Sequence, residues 1–297
     1  MLFRVLICIS LLPVCVATCY SATVASESSD QPTGKVKVTR IQFQTPVPLI
    51  PSEHQKLLED LRKAGWKRWQ EQTYDFTKDT AEELTRQMFQ NKGYYNAQVS
   101  AEFIPTPARH SKNTVVVMLR VTPGRRYRVA TISWQGVSVF PKYQLEKLIP
   151  LKSGDVFNRT MFAKGLEAAR NLYLSQGYIN FTYVPTPQVD DEAETVAFVI
   201  DVDEGGQFRF GELEVEGMQE KHRQILLSAW KDLHGSTYSP ESADRFFNRF
   251  FSSPLPNITP SNYTTHQIDE RKHLVNYLLR LTPTRATAKE CNSAISR

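Results

Sequence analysis

NKGYYNAQV at Asn91–Val99 and SQGYINFTY at Ser175–Tyr183 share one punctuation: a Gly-Tyr pair after a helical-looking run and before a strand-looking one. Each is followed by Pro-Thr-Pro, at Pro105–Pro107 and Pro185–Pro187. Glycine enters left-handed backbone without steric cost, which is what the residue just past a helix end requires. Gly93 and Gly177 therefore predict the ends of two helices, and the tyrosine after each can fold back on the last turn. Two strands follow each time: Asn96–Ile104 with Val115–Val121, and Phe181–Val189 with Val196–Val202.

These stretches belong to a longer repeat. TVVVMLRVTPGRRYRVATISWQG from Thr114 and TVAFVIDVDEGGQFRFGELEVEG from Thr195 lie 81 residues apart. The same step carries Gly124 to Gly205, Gly136 to Gly217, and Phe157-Asn158 to Tyr238-Ser239 and back to Phe76-Thr77. LLRLTP at Leu278–Pro283 echoes MLRVTP at Met118–Pro123. One unit of about 80 residues, used three times, fills Lys35–Pro283.

Each unit opens with a broken apolar alternation: Val36 and Val38 then Ile41 and Phe43; Tyr127 and Val129 then Ile132 and Trp134; Phe208 and Phe210 then Leu213 and Val215. A one-residue slip at the same place in every copy predicts a bulge. Helical spacing comes next, at Leu57, Leu58 and Leu61, at Leu145, Leu148 and Ile149, and at Ile225, Leu226 and Trp230. Thr77, Asn158 and Ser239 are placed to cap a second helix, with Pro240 at its favoured first position. The expected buried face of that helix is Leu84 and Met88, then Phe162, Leu166, Ala169, Leu172 and Tyr173, then Phe246, Phe247 and Phe250. The unit reads β-α-α-β-β. The expected fold class is α+β, in tandem domains.

At its N-terminus, Arg4 and the apolar run Val5–Val16 read as a secretory signal, with Thr23 and Ala25 suited to a cleavage site. Retention of this segment as an anchor and lipidation at Cys19 stay open. Cys8, Cys15 and Cys19 would leave with the signal, so Cys291 alone remains and no disulfide framework forms. The net charge of +5 lacks the clustered basic density of a nucleic-acid binder. After the signal, no apolar run approaches the roughly 20 residues that a membrane helix needs.

The order Gly154-Asp155-Val156-Phe157, Tyr173 with Gly177-Tyr178, and Val202-Asp203-Glu204-Gly205 before Phe208 and Phe210 resembles the POTRA (polypeptide-transport-associated) domain. The resemblance implies that each unit is a three-stranded mixed sheet covered by two helices, and the expected layout is a signal at 1–25, POTRA-like units at 35–124, 125–205 and 206–284, and a polar tail at 285–297. Copy one carries extra residues around Ala64–Tyr74, and copy three lacks the Gly-Tyr pair. The resemblance implies a periplasmic protein, associated with the outer membrane or free of it. Its expected partners are unfolded or extended polypeptide clients and an outer-membrane β-barrel or its assembly machinery; Thr284–Arg297 is too short to supply a barrel itself.

In that fold the middle strand of each unit lies at a sheet edge, and an edge offers unpaired N–H and C=O groups to another extended chain. The expected polypeptide-binding residues are Asn96, Gln98, Ser100 and Glu102 in copy one and Phe181 and Tyr183 in copy two, with Tyr263–Arg271 as the third edge. The competing view is that Pro105, Pro107, Pro185 and Pro187 protect those edges. Trp66 and Trp69, in RKAGWKRWQEQ, suit a partner surface or peripheral membrane contact, or simply the completion of a core. Arg120, Arg125, Arg126 and Arg128 are expected at the junction of copies one and two, pairing with acids such as Glu146 or Asp155.

No metal-ligand spacing, phosphate loop or nucleophile motif is present, so no cofactor, metal or catalytic residue is expected. The expected role is a non-enzymatic, exported polypeptide-binding scaffold in outer-membrane protein assembly or translocation. Two alternatives remain: an envelope or division-type scaffold held by an uncleaved N-terminal segment, and a periplasmic hydrolase on an α+β repeat.

Overall fold

The computed structural model describes residues 37–44, 46–47, 50–56, 59, 74–105, 114–251 and 264–280. The signal, Leu57, Leu58, Leu61, Trp66, Trp69, Pro107, Cys291 and the polar tail lie outside the described residues.

Unit one consists of β1 (Lys37–Phe43), helical residues 51–56, α1 (Tyr74–Gln90), β2 (Gln98–Pro105) and β3 (Thr114–Thr122). Unit two consists of β4 (Arg128–Gln135), α2 (Lys142–Glu146), α3 (Arg159–Ser175), β5 (Thr182–Asp190) and β6 (Thr195–Asp203). Unit three consists of β7 (Arg209–Glu216), α4 (Glu220–Trp230), α5 (Pro240–Phe251), β8 (Thr264–Asp269) and β9 (Leu274–Arg280).

The sheet orders are β1-β3-β2, β4-β6-β5 and β7-β9-β8. In each, the last strand is central, antiparallel to the strand before it and parallel to the first. In units two and three the antiparallel pair closes through a short turn, whereas the parallel pair needs a long crossover, which the two helices provide. The expected slip in the first strand is present three times: the register shifts by one residue between Val38 and Arg40, between Val129 and Ile132, and between Phe210 and Leu213.

Each unit has its own core. Val115, Val117, Leu119 and Val121 are buried while Val116 and Met118 are only half-buried, so the helices cover one face of the central strand. The second helix buries Phe162, Leu166, Ala169 and Tyr173 in unit two. In unit one its fully buried face is Ala81, Thr85 and Phe89, one residue round from the expected Leu84 and Met88, which pack alongside. The buried Thr85 hydroxyl is satisfied by donating to the Ala81 carbonyl at 2.7 Å. Two expected caps are present: Asn158 Oδ1 accepts from Met161 N–H at 2.9 Å, and Ser239 Oγ from Ser242 N–H at 3.1 Å.

Units two and three differ between their helices. Gly165 lies where a Cβ would meet Ile149 Cγ1 at 2.6 Å, so α3 packs directly on the segment after α2. One repeat later that position is Phe246, which packs edge-on to Trp230 at 5.0 Å. A groove of about 750 Å³ runs there, walled by Ile225, Leu233, Phe246 and Phe250.

Candidate strand-addition edges and the unit junctions

The middle strand of each unit is at a sheet edge. Gln98, Ser100 and Glu102 lie on β2 with exposed side chains. Asn96 does not belong to that strand: β2 starts at Gln98, and Asn96 Nδ2 donates to the Tyr127 hydroxyl at 3.2 Å, across the junction. Phe181 precedes β5 and is buried, stacked on Tyr173 at 4.1 Å and 15°, because its ring completes the core of unit two. Its side chain is therefore taken up inside the unit. Tyr183 lies on β5, half-buried against the same core. The third edge is β8, shorter than the expected Tyr263–Arg271.

The polar groups of these edges differ. Ala101 faces Leu119, whose carbonyl accepts from Gln44 N–H at 2.8 Å on the β1 side. The N–H and C=O of Ala101 therefore point away from β3, and alternation gives Val99, Phe103 and Pro105 the same outward direction. The outward Ala101 N–H is engaged: it donates to Glu82 Oε1 of α1 at 2.8 Å. On β5, pairing to β6 runs unbroken from Thr182 to Asp190 although Pro185 and Pro187 have no N–H, so both prolines occupy outward positions. That edge lacks two successive donors.

The Gly-Tyr stretches do more than end helices. Tyr94 and Tyr178 N–H donate five residues back to the Phe89 and Tyr173 carbonyls, each at 3.1 Å, while Gly93 and Gly177 close the inner bond to Gln90 and Leu174. The carbonyls of the same glycines accept from the unit that follows: Gly93 from Tyr127 N–H and Gly177 from Phe208 N–H, each at 2.8 Å. Just before them, the Lys92 carbonyl accepts from Arg126 Nε at 2.9 Å and that of Gln176 from Gln207 Nε2 at 3.0 Å. The residue after the tyrosine crosses over as well. Tyr95 packs into the core of unit two and Ile179 into that of unit three.

The next asparagine reaches the hairpin turn of the neighbouring unit. Asn180 Nδ2 donates to Glu270 Oε2 at 3.0 Å, and Asn96 connects through Tyr127, whose hydroxyl donates to Asp191. That bond, with burial, raises the Tyr127 hydroxyl above its ordinary range. The signal for this coupling was visible: Gly-Tyr-x-Asn recurs at an 84-residue step.

Junction one has further contacts between α1 and the start of α3. Thr160 N–H donates to Asn91 Oδ1 at 2.8 Å, Asn158 Nδ2 to the Asn91 carbonyl at 3.0 Å, and Arg159 to Glu83 at 2.5 Å. Arg126 is at this junction as expected, but the arginine cluster does not pair with Glu146 or Asp155. Arg125 meets Glu194 at 3.3 Å, Arg128 donates to the Gly154 carbonyl at 2.7 Å, and Arg120 to Gln44 at 2.8 Å. These bonds hold turns and strand ends together.

Inside unit two, Glu204, just past the end of β6, ties that strand end to α3 and to the loop after β4. It accepts from Ser138 and Val139 N–H and from Tyr173 Oη at 2.6 Å. Burial alone would raise its carboxyl, but the hydrogen bonds from Ser138, Tyr173 and Val139 outweigh it and hold the group below 4.5.

Residues 127–205 match the family model for POTRA, surface antigen variable number repeat. The chain is 26% identical over 182 residues to a Treponema pallidum (strain Nichols) protein provisionally described as an outer membrane protein assembly factor, covering 59% of this chain and 22% of that protein. It is 24% identical over 164 residues to the outer membrane protein assembly factor BamA of Neisseria meningitidis serogroup B, covering 55% of this chain and 20% of the relative. The chain thus spans about a fifth of the length of these relatives. Among solved structures, POTRA domains 3–5 of Haemophilus influenzae BamA superpose with a TM-score of 0.57 at 18% identity, covering 85% of this chain and 97% of that one. Residues 127–205 thus match the POTRA domain, and the chain carries the fold of tandem POTRA domains.

Proposed function

We propose that this chain is a non-enzymatic scaffold of the periplasm that receives extended polypeptide, including outer-membrane barrel chains, during outer-membrane protein assembly or translocation. The relatives' role in assembly supports the pathway, and the tandem POTRA fold supports the architecture. The observation that carries the binding mode is β2: eight residues at a sheet edge, with Gln98, Ser100 and Glu102 exposed and the amides of Val99 and Ala101 directed outward. Main-chain pairing is indifferent to client sequence, which suits a receiver of many chains. The prolines of β5 make unit two the poorer receiver.

The test places a photo-reactive residue singly at Gln98, Ser100 and Glu102, with Thr186 on β5 as comparison, in the envelope of the producing cell. Crosslinks from the β2 sites to unfolded barrel proteins are the expected result. Silence at all three sites, with capture of one folded partner elsewhere, would replace client reception by docking.

A further inference from the structure

We propose that Glu82 is a reversible guard of the β2 edge, whose carboxylate holds the amide that an incoming strand must take. The inference rests on the strand-addition reading of β2 and adds its regulation. Ala101 sits at the middle of β2, and its outward N–H donates to Glu82 Oε1 at 2.8 Å. Leu119, its partner on β3, has its carbonyl engaged by Gln44, so Ala101 has no ladder partner for that proton. A strand adding to this edge would have to offer a carbonyl at the position Glu82 now fills.

The same position is closed in the next unit by other means. Leu119 and Ile200 are one 81-residue repeat apart. Ile200 faces Pro185 where Leu119 faces Ala101. Pro185 has no proton to donate, so unit two is closed there by covalent structure. Unit one is closed at the same place by a side chain from α1, which solvent or a client carbonyl can replace. Two different devices at one repeat position mark it as the point where unwanted pairing is controlled, and the guard of unit one alone can withdraw. An amide held by a carboxylate is in a stronger bond than one held by a neutral carbonyl, so the guard opposes casual pairing without abolishing it. Glu82 is half-buried on the helix beside the edge, which limits how far its carboxylate strays.

The experiment uses the full chain, its Glu82→Ala and Glu82→Gln variants, and a soluble fluorescent peptide of about ten residues alternating valine with threonine or lysine, long enough to cover one strand. Affinity is read by anisotropy, the site by crosslinking from Ser100, and the guard by hydrogen exchange of the Ala101 amide. Circular dichroism confirms that the variants fold. Loss of the carboxylate is expected to speed Ala101 exchange and tighten peptide binding at β2 roughly tenfold, with Glu82→Gln between the two, as suits a hydrogen bond to a charged group. Equal binding at β2 by all three proteins would overturn the guard and leave strand addition standing. No binding by any of them would overturn both.

Discussion

The Gly93 carbonyl accepts the Tyr127 amide at 2.8 Å, and one unit later Gly177 holds Phe208 at the same distance. A helix-ending glycine is thereby also the receptor for the next unit's first strand. Both roles need the missing side chain, since the φ angles are +93° and +85° and the following unit lies where a Cβ would be.

Gly93→Ala and Gly177→Ala are expected to loosen the junctions while leaving the units folded. The left-handed conformation costs an alanine about 1–2 kcal/mol, and crowding adds to that. At Gly177 the Cβ would stand 2.6 Å from the Phe208 carbonyl oxygen, a backbone atom that cannot swing away; at Gly93 the two nearest atoms belong to the Val156 and Arg126 side chains. Gly177→Ala should therefore be the more damaging. Small-angle scattering should report a larger radius of gyration for both, and unchanged profiles would refute the coupling role.

Tyr95 belongs to unit one by sequence and to unit two by packing, with its ring 5.1 Å from Phe157 and 6.0 Å from Phe198. Tyr95→Ala should destabilise unit two by about 2 kcal/mol, less than a fully buried aromatic because the ring is only half-buried. Urea unfolding followed by amide exchange within β6 measures it. A loss confined to unit one would contradict the assignment.

Replacing Pro185 and Pro187 together by threonine restores two outward amides to β5. The double variant should self-associate at concentrations where the parent is monodisperse, because an exposed edge templates pairing. Sedimentation velocity reads this directly; a monomeric variant would mean that the prolines are not what blunts this edge.

Acid stability should depend on Glu204. Its folded value lies below 4.5, so its stabilisation is present above that pH and is lost as pH falls through the lowered folded value. Glu204→Gln should be less stable than the parent at neutral pH, with the gap closing as pH falls below the ordinary carboxylate range. Urea midpoints across that range check it, and a constant gap would show that charge on Glu204 contributes nothing.

The repeat, the strand and helix order, the bulge after Val129 and Phe210 and the caps at Asn158 and Ser239 were all legible in the chain, because each is written in local spacing and each recurs. Periodicity reports which face of an element is apolar. It does not report whose core that face enters. Tyr95 and Ile179 look like strand-leading residues of their own units, and only the close approach of consecutive units makes them part of the next core. Phe181 has the alternation of an edge strand, yet the turn before β5 carries its ring onto Tyr173. Pro185 could be seen in advance as a blunted edge, since proline removes a donor wherever it stands. The bond from Ala101 to Glu82 could not, because the two residues share neither an element nor a periodicity. Packing α1 beside β2 brings them within hydrogen-bond reach, and the free direction of the Ala101 amide follows from which side of β3 its partner faces.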